Sequence, residues 1–295
     1  MNNTNSIPPD LQTSIPRILV TGAKGMLGQD LCPILEDSGY EVIETDVDTL
    51  DITDFECAKK VLTEQKPDIV VHCAAYTNVD KAEEDIETAR LINSKGTENL
   101  AKICAELDIT LVYISTDYVF DGTKNEPYKP DDTPNPINNY GLTKLEGELA
   151  VQEYCKKYYI TRTSWLYGHH GKNFVETMIS LADRAELKVV DDQTGCPTWT
   201  CELANGIVKL LDGKPYGIYH VCGSGFTTWY GFAKEIFKIY LSLRGGEADV
   251  AIPLTPCTTS EFPRPAKRPT YSVMDNDGIC RKWQSALKDY LTLRD

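Results

Sequence analysis

Residues 17–28 confine the architecture more than any other stretch of this chain. Arg17-Ile18-Leu19-Val20-Thr21 is a short apolar run, Gly22-Ala23-Lys24-Gly25-Met26-Leu27-Gly28 is a glycine-rich turn, and Leu27, Leu31, Ile34 and Leu35 then recur at helical spacing. The pattern predicts a strand, a tight turn and a helix. Gly22 and Gly25 suit a turn whose backbone N–H groups approach a pyrophosphate at a helix N-terminus, and Gly28 suits close packing of that helix on a sheet. The spacing is G-x-x-G-x-x-G, not G-x-G-x-x-G, so a plain glycine turn competes with the nucleotide-binding reading.

Further apolar runs at 41–46, 68–75, 110–116, 159–163, 187–190 and 217–221 read as strands, separated by segments of helical periodicity such as 83–107 and 228–243. Alternating strands and helices predict an α/β fold, a Rossmann-like doubly wound parallel sheet with a smaller C-terminal substrate-binding lobe. Residues 1–14 read as a disordered lead-in, 15–165 mainly as an NAD(P)-binding domain, and 166–295 mainly as the substrate lobe with a return to the sheet. Ligands of such sheets sit at the carboxyl ends of the strands, where Gly22, Ala74-Ala75, Ser115-Thr116 and Arg162-Thr163-Ser164-Trp165 fall, so these residues are expected to line one crevice. Asp46 closes the second strand about 20 residues past the glycine turn, where a carboxylate can accept from an adenosine ribose. It argues for NAD over NADP, with Asp48 or Asp51 as alternative ribose partners and Lys24 as the only nearby base.

The balance of 44 acidic against 30 basic side chains gives a net charge of −14, which disfavours a nucleic-acid or anionic-membrane partner. No apolar run approaches the length of a membrane span and no signal-peptide core is visible, so a cytoplasmic protein is expected. The ten cysteines are scattered singly, several inside apolar patterns, and read as buried free thiols. No Cys/His spacing suggests a metal, and His169-His170 reads as a solvated pair in a Gly-flanked loop.

Tyr140 and Lys144 stand four residues apart where a helix opens, after a Pro-, Asp- and Asn-rich loop over 122–139. That spacing puts them on one face. A phenol is a poor proton donor at neutral pH, and a neighbouring ammonium is expected to lower its pKa, so the pair reads as a general acid with its tuning charge.

With Ser115-Thr116-Asp117-Tyr118-Val119-Phe120-Asp121-Gly122, Tyr140-Gly141-Leu142-Thr143-Lys144-Leu145-Glu146-Gly147-Glu148, Arg162-Thr163-Ser164-Trp165-Leu166-Tyr167-Gly168, Asp191-Asp192-Gln193-Thr194-Gly195-Cys196-Pro197-Thr198 and Arg264-Pro265-Ala266-Lys267-Arg268-Pro269 in this order, the chain resembles the extended short-chain dehydrogenase/reductase family. Within it the resemblance is to the dTDP-4-dehydrorhamnose reductase subgroup and covers nearly the whole chain from Arg17. The resemblance implies reduction of the 4-keto group of dTDP-4-dehydro-L-rhamnose by NADH or NADPH. It implies Thr116, Tyr140 and Lys144 as catalytic residues: Tyr140 as proton donor, Thr116 as hydrogen-bond donor to the ketone, Lys144 as ribose ligand. On the cofactor side it implies Gly22, Gly25, Met26, Leu27, Asp46, Asp51, Ile52, Ala74, Ala75, Tyr76 and Asn93 as well as Tyr140 and Lys144. On the substrate side it implies Thr116, Asp117, Trp165, Asn173 and Gln193, with Arg264, Lys267 and Arg268 as the basic cluster for the diphosphate of the dTDP-sugar.

The subgroup usually has Gln where Met26 stands and a different small residue at Cys196. Some members carry an interface magnesium held by glutamates; Asp30 occupies one such place, the sequence completes no such site, and no metal ligand is assigned. A monomer or homodimer is expected. Two rival readings are a non-catalytic NAD(P)-binding regulator similar to the regulatory subunit of methionine adenosyltransferase, and another sugar-nucleotide epimerase or dehydratase. Tyr118 stands where a dehydratase has its second acid.

Overall fold

Ile18, Leu19 and Val20 of β1 (Arg17–Thr21) are all fully buried, because helices cover both faces of the sheet that this strand helps to form. The computed structural model describes residues 15–184, 186–245 and 253–294; the lead-in expected over 1–14 lies outside the described residues. β1 pairs in parallel with β2 (Glu41–Thr45) on one side and β3 (Ile69–His72) on the other. β4 (Thr110–Thr116), β5 (Tyr158–Thr163) and the strand Gly217–His220 extend the sheet beyond β3. The order is therefore Gly217–His220, β5, β4, β3, β1, β2, with every pairing parallel.

Successive side chains of a strand point to opposite faces, and the core divides accordingly. Ile18 and Val20 pack with Leu31 and Leu35 of the helix Met26–Asp37 and with Leu203 and Ile207 of the helix Thr200–Leu211. Leu19 and Val70 pack on the other face with Leu62 of Phe55–Gln65 and Leu100 of Thr97–Glu106. A third cluster, built from Tyr167, Trp199, Phe232, Phe237, Trp283 and Tyr290 among others, holds the remaining C-terminal elements together. Among these is the helix Trp229–Leu243, whose cap Thr228 accepts from the Gly231 N–H at 3.0 Å.

Two segments differ from the sequence reading. Residues 187–190 do form a strand, but Leu187–Val190 pairs in parallel with Leu254–Cys257 in a separate two-stranded sheet. The segment 83–107 is not one helix. It is divided into Lys81–Glu84, Ile86–Arg90, a π-helical turn Leu91–Gly96, and Thr97–Glu106. Asp85 breaks it by leaving helical geometry and capping the next piece through the Thr88 N–H at 3.1 Å. The ten cysteines are free thiols, and no helix among the described residues is long and apolar enough to cross a membrane.

Candidate active site

The carboxyl ends of β1, β3, β4 and β5 open into a crevice of about 1030 Å³, walled by Gly22, Ala74, Ala75, Ser115, Thr116, Thr163, Ser164 and Trp165 among others. This is the convergence of strand ends that the sequence predicts, except that Arg162 is buried with its side chain bonded to Glu148. At its floor the chain turns sharply at Gly22, whose φ is +66°, and a Cβ there would lie 2.8 Å from the Ala74 backbone nitrogen. No L side chain fits that turn without displacing the third strand's exit. Gly28 is required for a different reason: its Cβ would come within 2.5 Å of the Gly22 carbonyl oxygen. The helix Met26–Asp37 then begins at Gly25 with no side-chain cap, so its first N–H groups face the crevice without a protein acceptor from the cap residue. A helix N-terminus left in that condition fits a pyrophosphate.

Gly25, Met26, Leu27, Asp46, Asp51 and Ile52 join the same wall. Asp46 serves the turn as well: its carboxylate accepts from the Lys24 N–H at 3.0 Å and from the Val47 N–H at 2.8 Å. The Lys24 ammonium is paired with Asp48 at 2.6 Å. Asp51 is likewise occupied, accepting from the Thr53 hydroxyl at 2.7 Å. Tyr76 and Asn93 are not brought into this wall. The Asn93 amide is buried and grips the Tyr76 backbone in both directions, accepting from its N–H at 2.8 Å and donating to its carbonyl at 3.0 Å. The π-helical turn places it there. Asn93 ties the π-helical turn to the segment that leaves β3.

Thr116 ends β4, and Tyr140 and Lys144 lie on the helix Asn139–Tyr154, whose cap Asn138 accepts from the Gly141 N–H at 2.8 Å. All three line the crevice, and the Thr116 hydroxyl donates to Asp117 Oδ1 at 3.1 Å. Tyr118 meets Tyr140 edge-on, ring centroids 5.6 Å apart. The Lys144 ammonium is buried and lies 4.1 Å from the centre of the Tyr113 ring.

The electrostatics reverse one expectation. Burial pushes the Tyr140 phenol up to about 12 against the opposing hydrogen bond from Thr116, and Lys144 does not pull it down. The reason is that Lys144 is itself desolvated, its pKa drawn down to about 7 although the charge of Glu148 supports the proton. Tyr140 is thus held as a neutral phenol, the form a proton donor needs. Asp117, next to Thr116, is also buried, and burial lifts its carboxyl to about 7 against hydrogen bonds from Ser272 and Thr116. Its Oδ2 and the Thr163 hydroxyl have no hydrogen-bond partner although both residues line the crevice. Orphaned buried polar atoms at a cavity wall fit a polar ligand.

A second cavity of about 580 Å³ is lined by Phe174, Met178, Gln193, Trp229, Arg264, Lys267 and Arg268 among others. Trp165 of the crevice stacks on Trp229 of this cavity at 3.6 Å, so the two spaces share an aromatic partition. Trp165 stands at φ +47°, a backbone cost that a bulky residue bears only where its surroundings fix it. The Trp229 indole N–H donates to the Gln193 side-chain oxygen at 3.2 Å. Asn173 lines neither cavity. It caps the helix Phe174–Ser180, accepting from the Glu176 N–H at 3.1 Å and donating to the Gly168 carbonyl at 2.7 Å. Arg268 is in place, but its guanidinium is already bound to Asp80 through two 3.0 Å hydrogen bonds. Sequence reasoning missed Asp80 and Trp229, and placed Thr163 at the crevice without giving it a role. Thr163 lay within a quoted motif, whereas a lone acid after β3 and a Trp at a helix start carry no signature.

The carboxylate of Asp30 is occupied by the Thr200 hydroxyl, with the His170 ring 3.5 Å away. No group of three or more His, Cys, Asp or Glu side chains among the described residues is placed to hold a metal ion.

Comparison with known proteins decides the family. The profile of the family described as RmlD substrate binding domain matches residues 16–293. This chain belongs to that family. A dTDP-4-dehydrorhamnose reductase of Streptomyces griseus is 43% identical over 93% of this chain and 92% of its own length. The crystal structure of a dTDP-4-dehydrorhamnose reductase from Clostridium acetobutylicum superposes with a TM-score of 0.88 at 48% identity, covering 94% of this chain and 99% of that one. That of the Bacillus anthracis protein in complex with NADP has the same TM-score at 40% identity, covering 95% and 100%.

Proposed function

We propose that this chain uses NADH or NADPH to reduce the 4-keto group of a dTDP-linked 6-deoxy sugar, converting dTDP-4-dehydro-L-rhamnose to dTDP-L-rhamnose. The observation that carries the proposal is the meeting of the Thr116 hydroxyl, the Tyr140 phenol and Lys144 in the crevice that the glycine turn also lines. The named relatives, one of them seen with NADP, support the same reading.

A nicotinamide dinucleotide, when bound, supplies the hydride equivalent for such a reduction. The chain's own residues would hold it along Gly22, Gly25, Met26, Leu27, Ala74 and Ala75, with its pyrophosphate at the start of Met26–Asp37 and a ribose near Lys144. Tyr140 then delivers the proton that the carbonyl oxygen requires, and its elevated pKa keeps that proton in place until charge develops on the oxygen. Thr116, on the same wall of the crevice as Tyr140, donates to the same oxygen. Asp117 and Thr163 offer their unpaired oxygens to sugar hydroxyls, and Trp165 walls the space beside them. The residues over 166–295 that line the second cavity would take the nucleotide.

The test follows nicotinamide absorbance with dTDP-4-dehydro-L-rhamnose as substrate and each cofactor in turn. Substrate-dependent oxidation of either cofactor, with dTDP-L-rhamnose as product, is the expected result. A chain that binds the cofactor yet turns over no dTDP-keto sugar is not this enzyme.

A further inference from the structure

The basic segment 264–268 does not present three equivalent charges. Arg268 Nη1 and Nη2 donate to Asp80 Oδ1 and Oδ2, each at 3.0 Å, in the two-pronged geometry that suits guanidinium and carboxylate. The Ala266 N–H reaches Asp80 Oδ1 at 3.3 Å, and Arg268 Nη1 turns back to the Ala266 carbonyl at 3.1 Å. The Arg268 charge also acts on Tyr118, whose ring lies edge-on to Tyr140. This guanidinium is committed on several sides, and the ion pair is three-quarters shielded from water, with side-chain exposures of 21% and 24%.

The other two cations are differently placed. Arg264 stands 3.8 Å from Asp80 with its side chain about half exposed, and its guanidinium lies over the Phe262 ring at 5.0 Å. Lys267 forms no ion pair among the described residues, and the backbone beneath it is held by Asn138 Nδ2 donating to the Lys267 carbonyl at 2.8 Å. Asn138 is also the cap of the helix that carries Tyr140. Both residues line the second cavity. Counting Asp80, the segment offers two net positive charges, not three, and two is the charge of a nucleoside diphosphate ester. The carboxylate needed for that count lies 188 positions from Arg268 in sequence, just before the short helix Lys81–Glu84.

We propose that Asp80 is a positioning residue for substrate recognition: it fixes Arg268 as the internally neutralised anchor of the basic segment and leaves Arg264 and Lys267 to bind the diphosphate. The proposal rests on the reading of the substrate as a dTDP-sugar and revises the expectation that Arg268 itself grips the phosphates. Burial opposes the charge on Asp80, but the Arg268 hydrogen bonds and charge, together with the Ala266 N–H, outweigh it and hold the carboxyl below its ordinary range. Asp80 is therefore ionised wherever the enzyme works. Without it, Arg268 would be released into the cavity and the backbone at Ala266 would lose its tether.

The experiment measures kcat and both Michaelis constants for Asp80→Asn, Arg268→Ala and the double variant, alongside dTDP binding by quenching of tryptophan fluorescence. Asp80→Asn is expected to raise KM for the dTDP-sugar and Kd for dTDP about tenfold, with KM for the nicotinamide cofactor unchanged and kcat within about twofold. Arg268→Ala should match it, and the double variant should be no worse than either single one, because the two substitutions break the same contact. Asp80→Glu, which retains the charge, should recover part of the affinity. Tighter dTDP binding by Asp80→Asn would make Asp80 a competitor of the diphosphate and overturn the proposal. So would losses that multiply in the double variant, or an unchanged substrate KM. A wild-type protein that neither binds dTDP nor reduces the keto sugar would instead refute the substrate reading.

Discussion

Replacing Arg162 by Met tests whether one buried ion pair holds the catalytic elements in register. Glu148 is fully buried and Arg162 is 1% exposed. Glu148 accepts from Arg162 Nε at 2.9 Å, from Arg162 Nη2 at 2.7 Å and from the Ser115 hydroxyl at 2.5 Å, while Arg162 Nη1 reaches the Pro130 carbonyl at 3.1 Å. Arg162→Met would leave a buried carboxylate with one of its three hydrogen bonds and without its ion-pair partner, and would strip the Pro130 carbonyl of its guanidinium donor. The expected loss is about 3–5 kcal/mol, the cost of breaking rather than replacing a buried pair. Glu148 lies one helical turn beyond Lys144 and Ser115 directly precedes Thr116, so the ion pair ties the Tyr140 helix to β5, and the Ser115 hydrogen bond ties it to β4, at the point where the chemistry is proposed. Urea unfolding measures the loss, and the Arg162→Met/Glu148→Leu double variant should recover a large part of it, since an apolar pair removes both stranded charges together. A single variant costing under about 1 kcal/mol, or a double variant as damaged as the sum of two singles, would refute the reasoning.

Tyr140→Phe should bind nicotinamide cofactor almost normally yet lose roughly a hundredfold or more in kcat, the scale of a missing general acid, as read by nicotinamide absorbance in single and multiple turnover. Burial draws Lys144 from 10.5 down to about 7, so the unfolded chain holds more protons there between those values and stability should rise with pH through that window; Lys144→Met should flatten the rise in urea midpoints. Asp117 carries the opposite sign. Burial lifts it from 3.8 to about 7, so the folded state holds the extra proton and stability should fall as pH climbs between them, a fall that Asp117→Asn should abolish. Asp48→Ala frees the Lys24 ammonium beside the turn after β2, and the ratio of kcat/KM for NADPH over NADH should increase; an unmoved ratio would mean that Lys24 does not face the 2′ position.

How far the sequence speaks depends on the range of the force involved. The turn at Gly22 was legible because φ +66° and a 2.8 Å approach to Ala74 leave glycine as the unstrained choice, and such constraints act within a few residues. Tyr140 and Lys144 were legible because helical geometry alone puts positions four apart on one face. The pKa of that same pair was not, since the sign depends on how much protein covers each group: the local argument made Lys144 the tuning charge, and burial instead weakens its own charge and raises Tyr140. Asn93 and Asn173 were expected at the site from the family resemblance, but nothing local says that their amides bond to the backbone of Tyr76 and Gly168. The segment 264–268 shows the boundary most clearly. Its charges could be counted from the sequence, and Arg264, Lys267 and Arg268 read as one basic cluster for the diphosphate. What decides the role of Arg268 is a carboxylate 188 residues away that no spacing rule connects to it. A long-range ion pair changes which residue of a basic cluster is available to a ligand without changing any residue of the cluster. A binding role assigned from a charge run is therefore complete only after the counter-ions that the fold delivers have been subtracted, and here that subtraction narrows the proposed phosphate contact from Arg264, Lys267 and Arg268 to Arg264 and Lys267.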